Sequence, residues 1–477
     1  MSNKKYITTT LPYINSQPHI GHALELVQAD VLARFFSWYY ISSNKEVFYN
    51  SGLDEHGLKV YQSAISNGLT PKEHCDKLSK DWEFFYKKFE IKPTSFYRTS
   101  SVKHHEQVQT IWSILLEQGD IYKKEYTSKY CVGCEEFKRE IDLVDGKCIT
   151  HNKNKLETIS EENYFFRLSK YKEELLIWFE DTKDEFIQPS KHQNELKHFL
   201  EGIEDISISR DSQKVSWGVP VPNDETQTIY VWFDALLNYI LSAGYLTDDF
   251  EWNDTVQLCG VDNIRFQAVI FQGMLCSLGI RNTKKLLVHG TVLDENGVKM
   301  SKSLGNVVCP IEQYEKYGLN AIRYYLIAGN PTFSNFGYSE DNVKSLYNAH
   351  LCNGYGNLTK RIITLINKKN VNVTSRFNNI FTEQVDKLIS DIDDDFLNYH
   401  IQEAYDKVHQ LVNKTNQYLN DNEPWKLDDK DANDILRGCY YALEWIETYY
   451  SFIFPDRDDI TNVIEDLDNT KILFERL

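Results

Sequence analysis

The chain has 477 residues, 42% of them apolar, with 52 Lys and Arg set against 70 Asp and Glu for a formal net charge of −18. That length and apolar share suit about two to four domains, each with its own core. The acidic balance argues against nonspecific adhesion to nucleic acid or an anionic membrane, while leaving room for a nucleic-acid partner met by a local basic patch. No run reaches the roughly eighteen unbroken apolar residues of a membrane span. The first five residues are polar and lack the pattern of a signal or transit peptide, so a cytoplasmic protein without a membrane partner is expected. Nine cysteines, an odd number in a chain too large to need staples, fit reduced thiols or a metal site better than a disulfide framework.

Residues 5–11, with Ile7 and three threonines closed by Pro12, predict a buried strand ending in a turn. From residue 21 to about 38, Leu24, Val27, Val31, Leu32, Phe35 and Phe36 fall at helical spacing. A second short strand at 47–49, a turn at 51–57 and a further helix continue the alternation of a nucleotide-binding α/β unit. Between about 127 and 222 the pattern changes to a Cys-containing stretch rich in Lys and Glu, with a helical run near 171–179, and reads as an insertion. Strand-like segments at 229–233, 258–260 and 285–290 resume the α/β pattern. After about residue 342 there is no strand signal; long amphipathic periods such as 388–411 predict a helical bundle, and the acidic stretch 456–468 a loosely held end.

Two short segments carry the chemistry. His19-Ile20-Gly21-His22 lies where the first loop meets the first helix, and Lys299-Met300-Ser301-Lys302-Ser303 lies between Gly297 and Gly305. A helix amino terminus offers N–H groups and a positive dipole end to an anion, and imidazoles donate to phosphate oxygens. Gly21 has no side chain to keep an adenine from the backbone, and two loop lysines add positive charge. Either motif alone reads as surface histidines beside a turn or as a solvated basic loop; their joint occurrence in this order points to ATP. A third cluster, Cys131-x-x-Cys134, thirteen residues, then Cys148-x-x-His151, has the spacing of a closed tetrahedral site for one structural Zn²⁺.

With these motifs the chain resembles the class I aminoacyl-tRNA synthetases. Leu11-Pro12-Tyr13, the run from Gly52 to Gly57, the run from Tyr230 to Ala235, the stretch from Gly290 to Asn306 and Pro424-Trp425 narrow the resemblance to the methionyl family over nearly the whole length. The resemblance implies an α/β Rossmann-type catalytic domain (1–116 and 226–292) split by a zinc-binding insertion (117–225). A KMSKS region (293–345) and an all-α anticodon-binding domain (346–477) then follow. It implies ATP, with Mg²⁺, and methionine as substrates and tRNA(Met) as partner. His19, His22, Lys299 and Lys302 then serve catalysis, and Gly21, Gly260, Asp262, Ser301 and Ser303 hold ATP. Asp54 takes the α-amino group, and Leu11, Tyr13, Trp232, Ala235, Leu236, Tyr239, Phe266 and Gln267 surround the methionine side chain. On their own, Asp54 reads equally as a turn or cap, and Trp232 with Tyr239 as ordinary core. Asn357, Arg361 and Trp425 match the family's anticodon readers, by stacking and hydrogen bonding to single-stranded bases. The chain stops soon after this bundle, and a monomer is expected.

One segment departs from the family pattern. Where a Gly-Lys-Asp, a Phe-His and an aromatic-proline pair are usual, the chain has Gly260-Val261-Asp262, Phe266-Gln267 and Phe271-Gln272. That departure motivates an alternative, a synthetase-like paralogue passing its adenylate to an acceptor other than tRNA; Asn357, Arg361 and Trp425 argue against it. A regulatory RNA-binding scaffold would not need both ATP motifs. Relatives specific for leucine, isoleucine or valine normally carry a large editing insertion that this length does not hold.

Overall fold

A computed structural model describes residues 3–133, 136–138, 143–149, 156–301, 304–373, 379–455 and 474–477. In chain order, β1 (Lys4–Thr9) leads to α1 (Ile20–Tyr39), β2 (Glu46–Leu53), α2 (Leu58–Ser66), α3 (Pro71–Lys88), β3 (Ser95–Arg98) and α4 (Val102–Glu117). Next come β4 (Ile121–Cys131), β5 (Glu136–Lys138), β6 (Leu143–Val144), β7 (Lys147–Cys148), β8 (Glu157–Phe166), α5 (Lys172–Phe186), β9 (Ile187–Gln188) and α6 (Gln193–Glu201). The strands β10 (Ile206–Ser207), β11 (Ser209–Asp211), β12 (Pro220–Val221) and β13 (Asp224–Ile229) precede α7 (Val231–Ser242), β14 (Thr255–Gly260), α8 (Phe271–Ser277) and β15 (Lys285–His289). Then follow β16 (Val292–Leu293), α9 (Pro310–Ile327), β17 (Phe336–Gly337), α10 (Glu340–Leu346), α11 (Asn357–Lys369), α12 (Ile380–Leu397), α13 (Ile401–Asn422) and α14 (Asp429–Ile453).

These elements form two compact units, Met1–Gln17 with Lys45–Glu83 and Pro93–Val288, and Pro18–Asn44 with Phe84–Lys92 and His289–Leu477. The first is built on a six-stranded sheet in the order β3-β2-β1-β14-β15-β9, in which β3–β2, β2–β1, β1–β14 and β15–β9 pair in parallel. Chain order runs one way from β1 to β3 and resumes on the other side of β1 at β14, so the sheet reverses between β1 and β14. At such a reversal the loops leaving adjacent strands diverge and open a crevice for ligands. Gly52 allows β2 to approach β3 closely, since a Cβ there would lie 1.9 Å from the carbonyl oxygen of Tyr97. A four-stranded sheet, β10-β8-β4-β5, arises from the stretch read as an insertion, with β4 and β8 antiparallel from Ile121↔Phe166 to Tyr130↔Glu157. That stretch is tied to the main sheet: it supplies the edge strand β9, and its Phe166, Leu168, Leu175 and Phe179 share one core with Phe233, Leu236 and Phe271.

One sequence expectation needs correcting. Residues 229–233 are not a strand: β13 ends at Ile229, Tyr230 is an N-cap and α7 starts at Val231. Val231, Phe233, Leu236, Leu237, Ile240 and Leu241 are all buried, so the segment lacks the polar face that distinguishes a helix from a buried strand. The amphipathic period over 388–411 is divided between two helices of the expected helical region. α12 ends at Leu397, and Tyr399 takes φ 64, a left-handed conformation that breaks the run before α13. The acidic stretch 456–468 lies outside the described residues.

The second unit packs α1 against the helices of the carboxyl-terminal half. Phe35 stacks on Phe396 at 4.5 Å and 16°, meets the edge of Phe452 at 5.8 Å, and Trp38 meets Trp445 at 6.0 Å. A buried charge lies among these aromatics. Arg323 of α9, 0% exposed, donates through Nη2 to Asp30 Oδ2 of α1 at 2.6 Å, through Nε to the carbonyl of Ile453 at 2.6 Å, and through Nη1 to that of Phe89 at 2.8 Å. Asp30 also accepts from Arg34 Nε at 2.8 Å and from the main-chain N–H of Lys92 at 3.2 Å. Removing Arg323 takes a donor from two main-chain carbonyls and leaves Arg34 as the charged partner of a buried Asp30, at a cost of up to about 3–5 kcal/mol. Arg323→Met is therefore expected to lower unfolding stability in urea by about that amount, and Asp30→Asn in the same chain to recover part of it. An unchanged unfolding midpoint for Arg323→Met would show that the pair does not hold the unit.

Candidate active site

In the first unit Leu11 and Tyr13 follow β1, Asp54 follows β2 and Gly260 ends β14, beside the reversal in strand order. Beyond β1 and β2 the two chains stay paired: Tyr13 bridges Asp54, with Ile14 N donating to Asp54 O and Asp54 N to Pro12 O, both at 2.9 Å. This pins the backbone of Asp54 beside Tyr13, and the Asp54 side chain is buried, 4% exposed. Trp232 and Phe266 stack face to face at 3.8 Å and 13°. Gln267 Nε2 donates to the Tyr239 hydroxyl at 2.6 Å. Leu11, Ala235 and Leu236 are buried, and Gly260 ends β14 just before an exposed Asp262 in a 3-10 turn. Gln267 lies in a π-helical turn, Phe266–Ile270, a local widening of the helix that recurs at ligand sites.

In the second unit the two histidines cap α1. His19 is the N-cap residue, with Nδ1 accepting from Gly21 N at 3.1 Å and His22 N at 3.4 Å, while His22 Nδ1 accepts from His19 N at 3.2 Å. The rings stack at 3.6 Å and 22°. Because each Nδ1 is an acceptor, a neutral ring carries its hydrogen on Nε2. A Cβ on Gly21 would lie 3.0 Å from His19 Cε1, so a larger residue there would push that ring out of its cap.

The lysine loop is braced from below. Asp294 Oδ1 accepts from Asn296 N and Val298 N, both at 2.9 Å, its Oδ2 accepts from Asn306 Nδ2 at 2.8 Å, and Asn306 Oδ1 accepts from Ser301 N at 2.9 Å. Gly297 (φ 75) and Gly305 (φ 68) turn the chain at its two ends. Lys299 is exposed; Lys302 and Ser303 lie outside the described residues. Just before this loop His289, at the end of β15, places Nε2 2.9 Å from Glu25 Oε2 of α1 and Nδ1 2.8 Å from the carbonyl of Gly290. Burial alone would lower its pKa, but these two acceptors outweigh burial and raise it.

The remaining candidates sit apart from these. Asn357 begins α11 directly after a π-helical segment, Tyr347–Gly356, and is exposed. Arg361, one turn on, donates to Asn416 Oδ1 and Asn420 Oδ1 of α13, both at 2.6 Å. Trp425 is 40% exposed on a 3-10 turn between α13 and α14. Of the cysteine set, Cys131 and Cys148 have buried thiols, while Cys134 and His151 lie outside the described residues. No group of three or more His, Cys, Asp or Glu is placed to hold a metal among the described residues.

Sequence reasoning missed a buried cluster in the first unit. His56 Nδ1 lies 2.9 Å from Asp234 Oδ2, His56 Nε2 lies 3.1 Å from His105 Nε2, and the Tyr97 hydroxyl lies 3.0 Å from His104 Nδ1. Burial raises the Asp234 carboxyl to about 6 and lowers His56 and His105 to about 4. Near pH 7 the imidazoles are neutral, with His56 Nδ1–H donating to the carboxylate and His105 Nε2–H to His56 Nε2. The available signal was that His56 and Asp234 fall inside the two quoted runs, 52–57 and 230–235, that flank Asp54 and Trp232. Glu55, also in the first run and 0% exposed, accepts from Arg98 Nε at 2.7 Å. These contacts anchor the loop that carries Asp54.

A raised histidine pKa gives a signed expectation. The His289 contribution to stability is complete below the unfolded-state value of about 6.5 and is lost as pH rises through the higher folded-state value. The stability difference between the parent chain and His289→Gln, followed by thermal melts, should therefore shrink as pH rises from about 6 to 9. A difference that stays constant with pH would remove the charged pair with Glu25.

Comparison with known proteins bears on the whole chain. A family model described as tRNA synthetases class I (M) matches residues 5–158 and 134–363. The methionine–tRNA ligase of Caldanaerobacter subterraneus subsp. tengcongensis is 38% identical over 448 residues, 90% of this chain and 67% of that protein. That of Rhizobium meliloti is 34% identical over 478 residues, 97% of this chain and 91% of that protein. Mycobacterium tuberculosis methionyl-tRNA synthetase, solved in complex with methionyl-adenylate, superposes with a TM-score of 0.87 at 30% identity, covering 98% of this chain and 94% of that one. With its histidine-capped helix, braced lysine loop and parallel sheet, this chain belongs to the methionyl-tRNA synthetase family of class I synthetases.

Proposed function

We infer that this chain is a methionine–tRNA ligase, which activates methionine with ATP and transfers it to the 3′ end of tRNA(Met). The observation that carries the reading is the pair of stacked histidines that cap the amino terminus of α1. A methionine carboxylate oxygen attacks the α-phosphorus of ATP, the bond to the bridging oxygen breaks, and pyrophosphate leaves. The terminal ribose hydroxyl of the tRNA then attacks the acyl carbon and AMP leaves. Neither step needs an enzyme nucleophile, so the protein contributes positioning and charge.

In this reading His19 and His22 donate to the phosphates, and Lys299 and Lys302 neutralise charge as pyrophosphate forms. Mg²⁺ arrives with the ATP. Gly21 leaves room for the nucleotide, Gly260 and Asp262 meet the adenosine, and Ser301 and Ser303 add donors. Asp54 takes the α-ammonium group. Leu11, Tyr13, Trp232, Ala235, Leu236, Tyr239, Phe266 and Gln267 enclose the thioether, whose polarizable sulfur suits aromatic edges. Asn357, Arg361 and Trp425 read the anticodon, supported by the exposed indole and by a guanidinium held through two asparagines. The domain limits 1–116, 117–225, 226–292, 293–345 and 346–477 and a cytoplasmic setting belong to the same reading.

A structural Zn²⁺ held by Cys131, Cys134, Cys148 and His151 completes it. Buried thiols at Cys131 and Cys148 fit that donor set, and closed coordination would brace the β6–β7 hairpin without entering the chemistry.

Amino-acid-dependent ATP–pyrophosphate exchange tests the activity: methionine alone among the twenty amino acids should support it. His22→Ala should cut the rate by about 10²–10³, the cost of one preorganised donor. Exchange with another amino acid, or with none, would overturn the reading. For zinc, elemental analysis should find one equivalent per chain, lost on Cys148→Ser with a lower melting temperature; a folded, active and metal-free protein would refute the site.

A further inference from the structure

Five buried side chains from five segments of the first unit form one continuous hydrogen-bonded chain. It runs Tyr239, Gln267, Gln257, Thr283, Gln272, and none of the five is more than 2% exposed. Beyond the bond from Gln267 to Tyr239, Gln267 Oε1 accepts from Gln257 Nε2 at 3.1 Å. Gln257 Oε1 accepts from the Thr283 hydroxyl at 2.7 Å, and Thr283 Oγ1 accepts from Gln272 Nε2 at 3.1 Å.

An amide's oxygen and nitrogen ends are alike in shape, so its orientation must come from its partners. Here main-chain groups of fixed polarity decide it. Gln272 Oε1 accepts from the main-chain N–H of Thr283 at 2.9 Å, so its amino group faces the main-chain carbonyl of Gln267, at 2.8 Å, and Thr283 Oγ1. The Thr283 hydroxyl, already an acceptor, sends its hydrogen to Gln257 Oε1. That turns the Gln257 amino group toward Gln267 Oε1, which in turn directs the Gln267 amino group to the phenol oxygen of Tyr239. Polarity is thus relayed from the backbone to the pocket wall. Phe271 meets Tyr239 from another direction at 5.3 Å and 66°. Gln267 and Gln272 stand where the family resemblance leads one to expect a histidine and a proline, and a proline has no side-chain amide to donate.

We propose that Gln257, Gln272 and Thr283 are positioning residues for methionine selection: they hold the Gln267 amide, and through it the Tyr239 phenol, in one fixed orientation. The inference rests on the reading of Tyr239 and Gln267 as walls of the methionine pocket. A largely apolar pocket separates side chains differing by a methylene by only about 10- to 200-fold, so a wall that shifts loses much of its selectivity.

Methionine-dependent ATP–pyrophosphate exchange by the full chain tests this. Thr283→Val keeps the side-chain shape and removes the hydroxyl that both accepts and donates. KM for methionine should rise about tenfold while KM for ATP stays within about twofold, and Thr283→Ser should restore the parent value. Equal shifts in both constants, no shift in either, or a serine variant as poor as valine overturns the proposal. Should Thr283→Val fail to fold, Gln257→Met interrupts the same relay and is read by the same split between the two constants. A parent chain without methionine-dependent exchange rejects the pocket reading and the proposal together, whereas active parent and variants with equal KM values reject the positioning role alone.

Discussion

The guanidinium of Arg323 is the point on which the second unit depends. Burying a full positive charge among aromatic rings is tolerable only because Asp30 and the carbonyls of Phe89 and Ile453 surround it. Those partners come from α1, from the segment after α3 and from the end of α14. One side chain therefore specifies how three otherwise apolar surfaces meet, which greasy contacts such as Phe35 on Phe396 do not specify by themselves. The consequence reaches the candidate site, since α1 is the helix whose first turn carries the two histidines.

Capping does two jobs at once in that first turn. Satisfying orphan N–H groups with imidazole nitrogens stabilises the helix end. The same bonds leave the hydrogen of a neutral ring on Nε2. Histidine can serve both ends of this arrangement because its ring has two distinct nitrogens; an Asp or Ser cap would satisfy the backbone but bring no second donor. The lysine loop follows a related logic. Asp294 and Asn306 bind its base, leaving Lys299 exposed on a segment bounded by two glycines.

The first unit solves a different problem. Among its candidate residues, Tyr239 and the loop carrying Asp54 are each tied to a buried polar relay. One relay is built of amides and a hydroxyl, groups that do not titrate near neutrality, and ends at Tyr239. The other is built of histidines on Asp234 and supports the loop bearing Asp54. In both, orientation is inherited from groups that have no choice, a main-chain N–H in one case and a carboxylate in the other.

What was legible in the sequence was local. His19 to His22 fall within one helical turn and Lys299 to Ser303 are five consecutive letters, so both segments stand out without any knowledge of the fold. The alternation of strands and helices and the helical end were legible for the same reason, because periodicity needs only a window of neighbours. Where a helix is buried on every side, as at 231–242, the period vanishes and the segment passes for a strand. Tertiary structure alone decided the polar partnerships across the chain. Arg323 meets Asp30 over a separation of 293 residues, His56 meets Asp234 over 178, and Gln267 reaches Thr283 through Gln257. No periodicity encodes such pairs: each buried polar group accepts any complementary partner that folding brings within about 3 Å, and only the packed chain determines which one arrives.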